Sequence, residues 1–201
     1  MDNNILKAKA SLEKNGFKVE AFNNVKEVKD FLLEEISKSK SIAFGGSMTL
    51  FDMDLYEEFK EKGNETYWHW MAENKGEELK KAMDTDIYIS STNAVTLDGK
   101  LVSMDGVGNR VASLIYGHEK VYIIAGRNKI SKDYEDGKRR IENIAAPKNA
   151  QRLDTKTPCK TTGKCSDCNT VERICRVEII LHRNPTGANI NVLLVDEDLG
   201  Y

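Results

Sequence analysis

S41IAFGGSMTL50 decides how the chain is read: an apolar run enters a glycine turn at Gly45-Gly46, and a helical pattern starts at Ser47. A strand feeding a helix through glycines is the repeating unit of α/β folds. Upstream, Asn24 is placed to cap a helix in which Val25, Val28, Phe31, Leu32 and Ile36 recur near helical spacing. Before it, F17KVEAF22 alternates like a half-buried strand, and Gly16 stops a first helix with Ile5, Ala8 and Leu12 on one face. Downstream, one helix is expected from Ser47 to about Lys60, with Leu50, Met53 and Phe59 turned inward. E73NKGEELKKAM83 is another helix, followed by the strand D86IYISS91.

Asn93 to Thr96 and Lys100 to Ser103 flank Asp98-Gly99, the dipeptide suited to a two-residue hairpin turn with positive φ at both central positions. D105GVGNR110 reads as a glycine-punctuated loop, V111ASLIY116 as a short helix and K120VYIIAG126 as a fully buried strand, because its apolar residues do not alternate. A helix is expected from about Ser131 to Ala145 with Pro147 marking its end. The cysteine segment then forms an extended loop, and R176VEIILH182 and the run Ile190 to Val195 are the last strands. The expected architecture is α/β: a doubly wound, largely parallel sheet with helices on both faces, a β-hairpin insertion and a C-terminal cysteine loop. Residues 1–201 are read as a single domain without internal repeats.

Thirty Lys and Arg against 32 Asp and Glu leave a net charge of −2, so no global field draws the chain to nucleic acid or to an anionic membrane. The N-terminus is charged throughout, and no apolar stretch reaches membrane-spanning length, so no membrane insertion is expected and the cytoplasm is the expected compartment. Clustered cysteines in that reducing setting point to ligands or redox groups rather than to a disulfide framework.

In such a sheet, ligands bind at loops beyond the carboxyl ends of the strands, and two loops qualify. Gly45, Gly46, Ser47, Met48 and Thr49 combine close backbone approach, a helix N-terminus for an anion and two hydroxyls. The plainer reading is a tight turn with Ser47 as a cap, and the loop matches neither the Walker lysine motif nor the dinucleotide fingerprint. Asn93, Asp105, Gly106, Gly108, Asn109 and Arg110 make the second loop, with Arg110 suited to a carboxylate or phosphate metabolite. Its plainer reading is a hairpin and a capped helix, with Arg110 solvated or paired to Asp105.

All four cysteines, Cys159, Cys165, Cys168 and Cys175, fall in P158CKTTGKCSDCNTVERIC175, within the basic stretch 154–176. Intervals of five, two and six residues make an irregular tetrad that matches neither paired zinc knuckles nor the repeated ferredoxin units. Zinc and an iron–sulfur cluster both remain open, as does a redox pair at Cys165 and Cys168. Local Lys and Arg residues would favour thiolates. The three histidines, His69, His118 and His182, show no spacing that marks an acid or base. His69, in W68HW70, reads as a packed residue.

S41IAFGGSMTL50, T92NAVTLDGKLVSMDGVGNRVASLIYG117, V121YIIAGRNKI130 and the cysteine segment, in this order, resemble the lactate utilization domain family. The run from Asn93 to Gly117 is the most specific part. The resemblance implies a fold like that of ribose-phosphate isomerase, glucosamine-phosphate deaminase and the coenzyme A transferases, with a small-molecule site near Gly45 to Thr49. It also implies a redox or accessory subunit in the oxidation of lactate to pyruvate beside iron–sulfur protein partners, and leaves room for an oligomer. In that context a 4Fe–4S cluster on the four cysteines is preferred over zinc. The alternative is a stand-alone enzyme for a small anionic metabolite, with structural zinc on the cysteines. No glutamate has the setting of a coenzyme A transferase nucleophile, and no flavin or nicotinamide signature is present, so the resemblance carries no mechanism.

Overall fold

A strand with no polar alternation must be covered on both sides, and Lys120–Gly126 is such a strand at the centre of this protein. The computed structural model describes residues 1–201. Its first half runs α1 (Asn3–Lys14), β1 (Lys18–Phe22), α2 (Val25–Glu35), β2 (Ile42–Phe44), α3 (Met48–Met53), α4 (Leu55–Lys62), β3 (Thr66–Tyr67), α5 (Lys75–Ala82) and β4 (Ile87–Ser91). Then come β5 (Ala94–Thr96), β6 (Leu101–Asp105), α6 (Asn109–Ile115), β7 (Lys120–Gly126) and β8 (Ile130–Ser131). The chain closes with α7 (Tyr134–Arg140), α8 (Ala146–Arg152), α9 (Pro158–Thr162), β9 (Val177–Leu181) and β10 (Ile190–Val195).

Six strands form a parallel sheet in the order β1-β10-β7-β4-β2-β3. Successive side chains of β7 and β10 go to opposite faces. Val121, Ile123, Val192 and Leu194 pack with Ile5, Ala8 and Leu12 of α1. Tyr122, Ile124, Leu193 and Val195 pack with Val28 and Leu32 of α2, Leu50 and Met53 of α3, and Phe59 of α4. Helices therefore cover both faces, as the patterning predicts.

The structure departs from the sequence expectations at five places, each for a local reason. The expected hairpin insertion is the middle of a second sheet, β8-β5-β6-β9, in which β9 pairs antiparallel with β6 instead of joining the parallel sheet. Its turn has three residues, Leu97, Asp98 and Gly99: Thr96 and Lys100 pair across it, and Gly99 alone has positive φ, at 82°. A type I turn followed by one left-handed glycine needs no strain at Asp98. The single helix expected from Ser47 to Lys60 breaks at Asp54, whose φ of 57° is a left-handed conformation that aspartate tolerates. The helix expected to end before Pro147 continues through it to Arg152, because Ile141–Ala145 wind as a π-helix that accommodates the missing N–H. The cysteine loop holds one short helix, α9, ended by Gly163 at φ 70°. No helix is long and apolar enough to cross a membrane.

Candidate functional site

Parallel strands align their carboxyl ends, so the loops after β2, β4 and β7 meet at one edge of the sheet. A cavity of about 320 Å³ lies there. It brings together most of the residues expected from the two loops: Gly46, Ser47 and Thr49 from the first, and Asn93, Asp105, Gly106, Asn109 and Arg110 from the second. Gly45 and Gly108 are outside its lining. A Cβ on Gly45 would stand 2.3 Å from Ser90 Oγ and 2.7 Å from the Tyr88 hydroxyl, so this glycine serves strand packing. Gly108 is the left-handed residue, φ 96°, that starts α6.

The glycines inside the lining also serve the walls. A Cβ on Gly46 would meet the Trp70 indole at 3.1 Å and the His69 ring at 3.3 Å, and one on Gly106 would meet Ile174 O at 3.0 Å. Gly106 thus lets the second loop lie against the cysteine segment. Asp105 accepts from Val107 N and Gly108 N through Oδ1 and from Val111 N through Oδ2, which ties the loop to the first turn of α6. Arg110 donates to Ser91 O, Asn93 Oδ1 and Met104 O and lies 3.8 Å from Asp105. Of its five N–H groups these contacts leave little for a ligand, so Arg110 mainly positions the loop and contributes charge. Ser47, at the start of α3, makes no capping bond with its side chain, and α3 has only six residues.

The strongest feature of the cavity is a residue that the motifs do not mark. Lys129 lies in a 3₁₀ turn, Arg127–Lys129, just after β7, and is 3 % exposed. Its Nζ is 2.8 Å from Thr49 Oγ1 and 2.8 Å from Ser91 Oγ. Burial first, then Arg140 and Arg110, outweigh the attraction of Asp52 and bring its pKa down to about 7. Arg140 fixes the turn by donating to Asn128 O and to Asn93 O, at 2.8 and 2.7 Å. Lysine in a sequence normally signals a solvated surface, and the only hint here is its place after a glycine that ends a buried strand.

The far wall carries Arg152, stacked 4.4 Å from the Trp70 ring centroid and donating to Asn149 Oδ1 and the Tyr201 hydroxyl. His69 also lines the cavity, half-buried, and burial with the nearby Lys75 lowers its pKa. The other two histidines lie elsewhere. His118 stacks on Tyr88 at 5.0 Å with Nδ1 2.8 Å from Thr85 O, and His182 is exposed at the end of β9.

All four cysteines line a second, smaller cavity of about 20 Å³, and Ala146, Ile174 and Cys175 belong to both cavities. No three Cys, His, Asp or Glu side chains already form a metal shell, so closing one requires the thiols to turn towards one another. The donor set nevertheless fits a thiophilic metal: four sulfurs, an N–H from Asp167 to Cys165 Sγ at 3.4 Å, and a segment folded by Arg173 through Cys168 O and Cys175 O. The basic flank does less than its composition suggests. Lys160 pairs with Asp154, Lys156 with Glu172 and Arg173 with Asp167, while burial pushes the Cys175 thiol up to about 11, the other sulfurs adding to the effect.

A parallel sheet covered on both faces, with a cavity of mixed polar and apolar lining at its carboxyl edge, defines an α/β domain whose loops converge beyond the strand ends. The family model described as the LUD domain matches residues 5–195, and the chain belongs to that family, the lactate utilization domain family that its motifs resemble. A crystal structure of a DUF162 family protein from Deinococcus radiodurans is similar in fold, with a TM-score of 0.57, 8% identity and 96% of each chain covered. No curated protein matches the chain.

Proposed function

We propose that this chain is a subunit in the oxidation of lactate to pyruvate, holding a small carboxylate in the sheet-end cavity and an iron–sulfur cluster on Cys159, Cys165, Cys168 and Cys175. The observation that carries this reading is the common wall: Ala146, Ile174 and Cys175 border both the metabolite cavity and the cysteine cavity. A cluster held by these cysteines would supply one-electron transfer. The protein's own residues would hold the carboxylate. Ser47 offers an uncommitted hydroxyl, Thr49 and Ser91 surround the Lys129 amine, and Arg110 and Arg152 set a positive field.

Anaerobic purification followed by metal analysis, visible absorption and electron paramagnetic resonance tests the cluster. The expected protein is brown, with iron and sulfide that disappear in the four-cysteine variant. Titration with lactate and pyruvate should raise its melting temperature. Colourless protein with stoichiometric zinc would overturn the redox role and favour a second reading, a stand-alone enzyme on a small anionic metabolite with structural zinc. The small volume of the cysteine cavity, room for about one water-sized group, speaks for that reading.

A further inference from the structure

We propose that Lys129 captures a small carbonyl compound bearing a carboxylate, forming an imine between its Nζ and the carbonyl carbon. The inference rests on the reading that the cavity accepts a small carboxylate, and adds to it a covalent step and a substrate class. Three observations carry it. Lys129 is a buried amine on the wall of a cavity large enough for a metabolite, and its only side-chain partners are two neutral hydroxyls, Thr49 and Ser91. A buried ammonium without a carboxylate partner is strongly disfavoured, so the free amine, the nucleophilic form, is accessible near neutrality. Arg110 and Arg152 on the cavity wall attract an anion, while Arg140 and Arg110 disfavour a positive charge on the lysine.

In the step itself the amine lone pair attacks the carbonyl carbon. A C–N bond forms, the C=O π bond breaks, and the oxygen takes a proton to give a carbinolamine. Loss of water, carrying away both amine hydrogens with the oxygen, leaves the neutral imine. No electrons are gained or lost overall. The hydroxyls of Thr49 and Ser91, each 2.8 Å from Nζ, are placed to relay those protons.

The experiment is reductive trapping on the full chain. Protein is incubated with pyruvate or glyoxylate and cyanoborohydride, and the adduct is located by intact mass and peptide mapping. Lactate, which has the carboxylate but no carbonyl, serves as the control. The expected result is one adduct per chain on Lys129 with either oxo acid, none with lactate, and none on Lys129→Met or Lys129→Arg. Thermal melts of each variant separate loss of reactivity from loss of fold. Adducts scattered over exposed lysines, or no adduct at all, would overturn the proposal. If pyruvate and lactate still raise the melting temperature while no adduct forms, the imine fails and the carboxylate-binding reading stands. If neither ligand shifts the melt and no adduct forms, both fail.

Discussion

Lys129 sits where a cation is least welcome, 3 % exposed and beside two arginines, and this has a consequence for folding as well as for chemistry. Its pKa is about 7 in the folded protein but ordinary in the unfolded chain, so between those values the unfolded state binds more protons. Stability from this residue is therefore lowest below about pH 7 and is regained as pH rises from there toward the ordinary lysine range. The charged groups that bear on it are Arg140, Arg110 and Asp52. Denaturant melts from pH 6 to pH 9.5 should show wild-type stability rising relative to Lys129→Met, which keeps the volume and loses the titration. A flat difference between the two would refute the shift. Asp105 makes a second prediction at this scale. It holds three backbone N–H groups around the start of α6, so Asp105→Ala should cost about 2 kcal/mol, measured by urea unfolding.

Among the elements, the β5–β6 hairpin shows how a short turn can carry a long-range contact. Gly99 has φ 82°, and a Cβ there would lie 2.5 Å from the backbone of Ser11 in α1, while Asn15 Nδ2 donates to Asp98 O and Gly99 O. The glycine thus serves both the turn and the docking of the second sheet on α1. Gly99→Ala combines backbone strain with a backbone clash and should destabilise by about 3 kcal/mol, read as a lower urea midpoint with unchanged slope. The π-helix of Ile141–Ala145 has a comparable double role. It carries the chain past Pro147 and places Ile141, Ala145 and Ala146 on the cavity wall, so the continuous helix extends to Asn149 and Arg152. Pro147 in sequence is a stop signal, and only the relaxed winding before it removes that meaning.

For the whole molecule, the outcome is two cavities that share a wall, one of mixed polar and apolar lining at the sheet edge and one lined by thiols. Metal binding should stabilise the fold, because the unfolded chain offers no assembled site. Each kcal/mol of that contribution shifts the melting temperature by about 2–4 °C for a chain of this size. Chelation should therefore lower the melting temperature of the metal-loaded wild type and leave Cys165→Ser/Cys168→Ser unmoved; equal melts for loaded and stripped wild type would count against a metal centre. The longer strands, most helices and the two glycine loops were legible in the sequence, because apolar periodicity and turn chemistry are local; the two-residue strands β3 and β8 were too short to show a pattern. So was the family, through the ordered motifs from Ser41 to Ile130. Lys129 was not legible, since its chemistry comes from burial against Thr49 and Ser91, which lie 80 and 38 residues away. Nor was the role of Arg110, whose donors are taken by backbone and side-chain oxygens that tertiary packing brings to it. By itself the sequence determined the longer strands, most of the helices and which loops lie at the sheet edge. Only the tertiary structure decided which charges lose their water there, because desolvation depends on neighbours distant along the chain.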